Sequence, residues 1–285
     1  MSASAETTES GAAPGELGGV RPPDRPRRRR LGRLERPALR GVLVREMINF
    51  SSHWRSTTFS STVEPTIFLL AFGFGFGSLV AEVGGFRYVE FVGTGVVATA
   101  VLFSSVFPAM FGTFIKYQFQ HTYDAILAAP VDTEELVTGE ALWIATRTGV
   151  YGCTPLLVAM IFGLDPSWGM LAVPPIAFLA GFGWACFGIS IAAYLKSIEN
   201  FNYITSSVIT PLFLVAGTFF PIDQLPEGAQ IAAQINPLYH CVELVRHAVF
   251  GWEGATDAAH LGAIAGFGLV MWRVAIHGME RKLVT

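Results

Sequence analysis

The sequence predicts an all-α membrane protein: six transmembrane helices, an amphipathic interfacial helix before the first and re-entrant helices before the last. Three observations lead there. Hydrophobic residues make up 52% of the 285 residues and charged residues 14%, where a soluble domain carries about 25% charged. Apolar residues gather in runs of about 20, the length that crosses a bilayer. Lysine and arginine also concentrate in alternate loops, the bias that orients a chain in a membrane.

Residues 1–37 are rich in Ser, Ala, Glu, Gly and Pro, then in arginine, ending in RPPDRPRRRRLGRLERP. Such a stretch buries too little apolar surface to repay the entropy of folding, so a disordered basic cytoplasmic tail is expected. The Arg27–Arg30 run has the charge to hold nucleic acid, but beside a first span it more simply retains the tail in the cytoplasm against anionic lipid. No nucleic-acid partner is expected, and no apolar core with a small-residue cleavage site makes the tail a signal peptide. Over 38–56, Leu39, Leu43, Met47, Phe50 and Trp54 recur at helical spacing while Arg40, Arg45, Glu46 and Asn49 lie largely elsewhere on the wheel. That is the pattern of an amphipathic interfacial helix, and also of a soluble helix packed on a partner.

The spans are expected near Phe59–Val80, Phe91–Ile115, Leu136–Phe162, Met170–Leu195, Phe201–Phe220 and Ala258–His277. An even number puts both termini on one side. The tail, Lys116, Lys196, Arg281 and Lys282 fall on that side and the opposite loops hold Arg87 and Arg246, so both termini are expected in the cytoplasm of a multi-pass cell-membrane protein.

Within the spans, Gly73, Gly75 and Gly77 lack the Lys-Ser/Thr of a nucleotide loop and have apolar flanks on both sides. Small residues four apart, Gly73/Gly77 and Gly262/Gly266, instead permit close helix approach in lipid. Glu64-Pro65 is tolerable near the start of the first span. Arg147, about two turns into the third, must face a partner helix or a water-filled path, or snorkel to the surface. Glu140, seven residues earlier on roughly the same face, is the nearest in-sequence group to share its environment. The stretch 222–250, too broken to span and too apolar for a free loop, suggests re-entrant helices at about Ala229–Ala233 and Leu238–Phe250, with Glu243 and Arg246 paired at i, i+3. Cys153, Cys186 and Cys241 form no C-x-x-C, and His240 and His247 have no carboxylate at ligand spacing, so no metal site is expected.

The longest polar interruption, Gln120 to Glu140, sets Asp124, Asp132, Glu134, Glu135 and Glu140 beside Ile126, Leu127, Leu136 and Val137. A short surface helix there is a handle by which a soluble partner moves the spans.

Two stretches carry a family resemblance. LAAPVDTEELVTGEALWIATRTG at 127–149 resembles the segment after the second span of type-2 ABC exporter permeases, especially the nodulation-type lipo-oligosaccharide exporters. Thr138, Gly139, Glu140, Trp143, Ala145, Thr146 and Arg147 stand at the places of that family's L-G-E-x-x-W-A-A-T-K, with Arg replacing Lys. TPLFLVAGTFFPIDQLPEGAQ at 210–230 and NPLYHCVELVRHAVFG at 236–251 resemble its fifth span, its Phe-Pro-x-Asp-Gln-Leu-Pro turn and its re-entrant helices. Together the resemblance covers about 40–285, with 57–285 as the ABC-2 type transmembrane domain.

The resemblance implies a permease subunit that binds no cofactor itself. The chain has no G-x-x-x-x-G-K-[ST], so ATP and Mg would lie on a separate nucleotide-binding ATPase subunit. Two permeases would pair, as a homodimer or with a paralogue, surrounded by membrane lipid. Gln120, Tyr123, Asp124 and Leu127 would form the main coupling helix, Lys196 and Glu199 the second contact, and the 38–56 helix a third. Glu140, Arg147, Glu243 and Arg246 would serve structure or gating. Phe201, Tyr203, Phe213, Phe219 and Phe220 would line the route, where aromatic faces stack on sugar rings or simply meet lipid. The expected function is ATP-driven export of a lipid-linked saccharide, or of a drug or antibiotic. The alternative from another class is a channel or secondary carrier, which would usually show internal repeats and several mid-span charges. An embedded enzyme would need a catalytic constellation at one depth, and none can be placed.

Overall fold

The computed structural model describes residues 34–77, 79–80 and 82–284. The expected tail falls outside them up to Arg33, and its last residues already belong to a helix. Helix α1, Arg36–Ser51, carries Pro37 in its first turn, where the missing amide costs nothing. It ends before His53, and α2, Trp54–Leu70, continues as a π turn over Ala71–Phe76. A two-residue hairpin, β1 Glu82–Val83 and β2 Phe86–Arg87, leads into α3, Tyr88–Gln118. After the short α4, Thr122–Leu127, come α5, Thr133–Tyr151, and α6, Thr154–Ile161. Pro155 separates these two, since its ring collides with the carbonyl four residues earlier. A 3-10 turn, Trp168–Ala172, opens α7, Val173–Tyr194. Helices α8, Asn200–Ile204, and α9, Thr210–Leu214, flank a second π turn. Then follow α10, Glu227–Ile235, α11, Pro237–Phe250, and α12, Ala255–Val284.

Among the described residues, four segments are long and apolar enough to cross a membrane: Tyr88–Gln118, Thr133–Ile161, Trp168–Tyr194 and Ala255–Leu283. These meet four of the six expected spans. The other two are interrupted by π turns. The expected Phe201–Phe220 segment is helical only to Leu214, because Gly217 takes a left-handed conformation (φ 79°) that turns the chain.

Helix α7 is the centre, packed on α3, α5 and α12. Its Trp184 is buried against Phe187 and Phe267. Close approach is set by small residues: a Cβ on Gly188 would lie 2.7 Å from both the Ala109 Cβ and the Val106 carbonyl of α3, and one on Gly139 of α5 would lie 2.6 Å from a Val42 methyl of α1. A Cβ on Gly73 or Gly77 would lie 3.6–3.7 Å from Val89 of α3, but one on Gly262 or Gly266 would meet nothing within 4 Å, so among the described residues that pair makes no close helix contact.

Gly188→Val should lower the thermal midpoint of the purified protein strongly, while Gly112→Ala, with open space at its Cβ, should leave it unchanged or slightly raised, as helix propensity favours Ala by about 1 kcal/mol. Equal midpoints for parent and Gly188→Val would show that α3 and α7 are not in this contact.

Candidate functional site

Four helices meet at one end of the bundle around a single lysine. Lys116, on the last turn of α3, reaches Glu46 of α1 at 2.8 Å and Glu140 of α5 at 2.9 Å. Arg45 adds a second cation on Glu46 at 2.7 Å. Both carboxylates are buried. The other oxygen of Glu140 accepts from the Tyr123 hydroxyl of α4 and, at 3.5 Å, from Thr113. Burial first, and then the neighbouring Glu140 carboxylate, hold the Tyr123 phenol well above its usual range, so it stays a donor at any physiological pH.

This geometry revises three expectations. Tyr123 does not face outward for a partner: it is 2% exposed and tethers α4 to the bundle. Glu140 borders the same cavity as Arg147, but its ion pair is with Lys116, since seven helical residues set Glu140 and Arg147 about 10 Å apart along the axis. Glu46 lies on the packing face of α1 with Leu39, Val42 and Phe50, whereas Met47 is exposed. The signal was present: a carboxylate on an apolar stripe needs a buried counter-ion.

Tethering leaves the other face of α4 free. His121 in left-handed conformation (φ 49°) turns the chain out of α3, and its ring meets Asp124 at 3.2 Å. Gln120 and Asp124 are exposed, Leu127 half-buried. At the same end Lys196 and Glu199 are exposed in the turn after α7, whose last carbonyls, Ala192 and Leu195, accept from Lys282 of α12 at 2.7 and 3.1 Å. N-terminal to α1, the Glu35 amide donates to Glu135 of α5. The sequence-predicted contact residues are therefore gathered at one end.

The opposite end holds the other predicted pair. Arg246 meets Glu243 at 2.6 Å, donates to the Gly217 carbonyl at 3.1 Å and stacks 4.0 Å over Phe91. The Nδ1 atoms of His240 and His260 are hydrogen-bonded at 2.7 Å, and His247 meets Asp257 at 2.6 Å. No metal-binding group of His, Cys, Asp and Glu occurs among the described residues.

The five aromatic residues expected to line one route do not share one. Phe201 has no exposed surface and packs edge-on between Phe111 and Phe114. Phe213 and Phe219 join an internal cluster with Phe72 and Phe103. Tyr203 and Phe220 point outward, at 72% and 38% exposure.

Residues 37–250 match the family described as ABC-2 type transporter. The chain belongs to that family. Among curated relatives of this ABC-2 protein is Nodulation protein J of Sinorhizobium fredii (strain NBRC 101917 / NGR234), 29% identical over 236 residues, covering 81% of this chain and 90% of the relative. Nodulation protein J of Neorhizobium galegae is 27% identical over 264 residues, 89% of this chain and 99% of its own. Inner membrane transport permease YadH of Escherichia coli (strain K12) is 22% identical over 247 residues, 85% and 95% of the two chains. The match to the ABC-2 family includes α3, α4, α5 and all of α1 but its first residue, and so Glu46, Lys116, Tyr123 and Glu140.

Removing the lysine should expose what the cluster contributes. Lys116→Met leaves the buried Glu140 without a cation and Glu46 with Arg45 alone, and should cost about 3–5 kcal/mol. Tyr123→Phe, which removes one hydrogen bond to a charge, should cost about 1–3 kcal/mol. Adding Glu140→Gln to Lys116→Met should restore part of the loss in thermal unfolding. A further loss in that double variant would contradict the shared-lysine geometry.

Proposed function

We propose that this chain is the transmembrane permease subunit of an ATP-driven exporter. It moves a lipid-linked saccharide, glycolipid or other amphipathic molecule out of the cytoplasm, with a drug or antibiotic as the alternative cargo. Four apolar segments and two π-interrupted ones make six spans across the cell membrane, with α10 and α11 re-entrant on the outer side and both termini cytoplasmic. Residues 1–37 are the cytoplasmic tail, 38–56 the interfacial helix and 57–285 the transmembrane domain. Two permeases pair, and each engages one separate ATPase subunit, which holds ATP and Mg. The observation that carries this reading is α4: a helix of six residues fixed on its inner face by Tyr123 and exposed on its outer face at Asp124. A helix so mounted transmits force, because its inner face is bonded directly to α5 through Glu140. Closure of the motor on Gln120, Asp124 and Leu127, with Lys196 and Glu199 as the second contact, then tilts the spans as rigid bodies. Tyr203 and Phe220, the outward-facing aromatics, are the remaining candidates for a route between the paired permeases.

Co-expression with the neighbouring ATPase gene and purification through a tag on the permease should bring both subunits down at equal stoichiometry, with ATP hydrolysis. Asp124→Arg should lower substrate-stimulated hydrolysis several-fold without moving the thermal midpoint, since the residue is exposed. Failure to recover any ATPase would favour a channel or secondary carrier.

A further inference from the structure

Arg147 is the charge that the proposed coupling does not use. Its guanidinium lies 5.5 Å from the Phe50 ring, and it has no ion pair among the described residues. It stands where two cavities join. One, about 210 Å³, opens at the α4 end beside Glu46, Lys116 and Glu140. The other, about 440 Å³, lies between α2, α3 and α5, a volume typical of small-molecule sites. Pro108 and Arg147 border both.

The larger chamber has two kinds of wall. Ser56, Ser60 and Ser61 of α2 and Ser104 of α3 offer hydroxyls; Phe68, Phe103 and Phe107 offer apolar surface. An adjoining groove along α2, lined by Phe59, Val63 and Ile67, continues the apolar side to the protein surface. The chamber also holds two buried polar atoms without a hydrogen-bond partner, the Arg147 Nε and the Thr99 hydroxyl. Thr99 is 3% exposed. A guanidinium only donates, so what is missing beside it is an acceptor. A cation withdrawn from water without a counter-ion is costly, and an anion supplies both needs. Glu64, the one carboxylate of the lining, is exposed on α2 and accepts from hydroxyl donors.

From this we infer that the chamber between α2, α3 and α5 binds an anionic, hydroxylated amphiphile. A phosphate-type head group lies on Arg147, hydroxyls face the serine wall, and the tail runs past Phe68 and out along α2. The purpose of the site, loading of cargo or occupation by a membrane lipid of the same chemistry, rests on the permease reading; the binding itself does not.

The test uses the purified permease in neutral detergent, without ATPase, and lysophosphatidylglycerol as probe. The probe should bind at least about tenfold more tightly than a monoacylglycerol, which lacks the anion, and than glycerophosphate, which lacks the tail. Arg147→Gln should lose about that factor and Arg147→Lys less, since one charge remains. Ser60→Phe, at an exposed position of α2, should weaken binding by filling the chamber even if Arg147→Gln does not fold. Unchanged affinity in a folded Arg147→Gln or in Ser60→Phe would overturn the site. The probe is then added to the complex with its ATPase: stimulated hydrolysis marks cargo, binding without stimulation marks a resident lipid, and both retain the site. Loss of binding in a complex that still hydrolyses ATP would refute the chamber and leave the exporter reading intact.

Discussion

One ammonium group shared by two buried carboxylates decides how one end of this molecule is built. Lys116 brings α1 and α5 to α3, and Glu140 passes the constraint on to α4 through Tyr123. Without Lys116, Glu140 would be an uncompensated buried carboxylate and Glu46 would keep Arg45 alone, so the contacts of α1 and α5 with α3 depend on one another. The smallest helix gains most. Six residues are too few to hold a helix by propensity, and α4 persists because its phenol is bonded into the cluster. The same constraint leaves the opposite face of α4, with Asp124, exposed.

Glycine completes what charge begins. Gly139, adjacent in sequence to Glu140, removes the side chain that would otherwise hold Val42 away from α5. The short approach brings Glu46, one helical turn beyond Val42, within reach of Lys116. A larger residue at position 139 would therefore act on an ion pair as well as on packing. That coupling gives a physical reason for the Gly-Glu dipeptide, which a sequence motif alone presents as two letters.

Much of the architecture was legible because it rests on local pattern. The apolar runs located the four long segments, and Glu243 and Arg246 were readable as an i, i+3 pair. The break between α5 and α6 at Pro155 was not anticipated, because hydropathy runs straight through it and predicts Leu136–Phe162 as one span. Other features depend on tertiary contacts that leave no local trace. Nothing near Tyr123 says that its partner lies seventeen residues on. Phe201 and Tyr203, two positions apart, end at 0% and 72% exposure, because burial there is decided by Phe111 and Phe114 of another helix. Aromatic content could count candidates for a route but could not orient them.

The two isolated arginines show how a membrane-depth cation is either closed off or left in use. Arg246 has a carboxylate, a backbone carbonyl and an aromatic face, each within 4.0 Å, although its buried Nε lacks a hydrogen-bond partner. Arg147 has one ring and two cavities. Both sites obey the same energetic rule, that a withdrawn charge must be answered. At Arg246 the chain answers from its own residues, and the result is a rigid joint between α11 and the turn at Gly217. At Arg147 the chain provides space, hydroxyls and an apolar exit in place of a counter-ion, so the answer has to come from outside the chain.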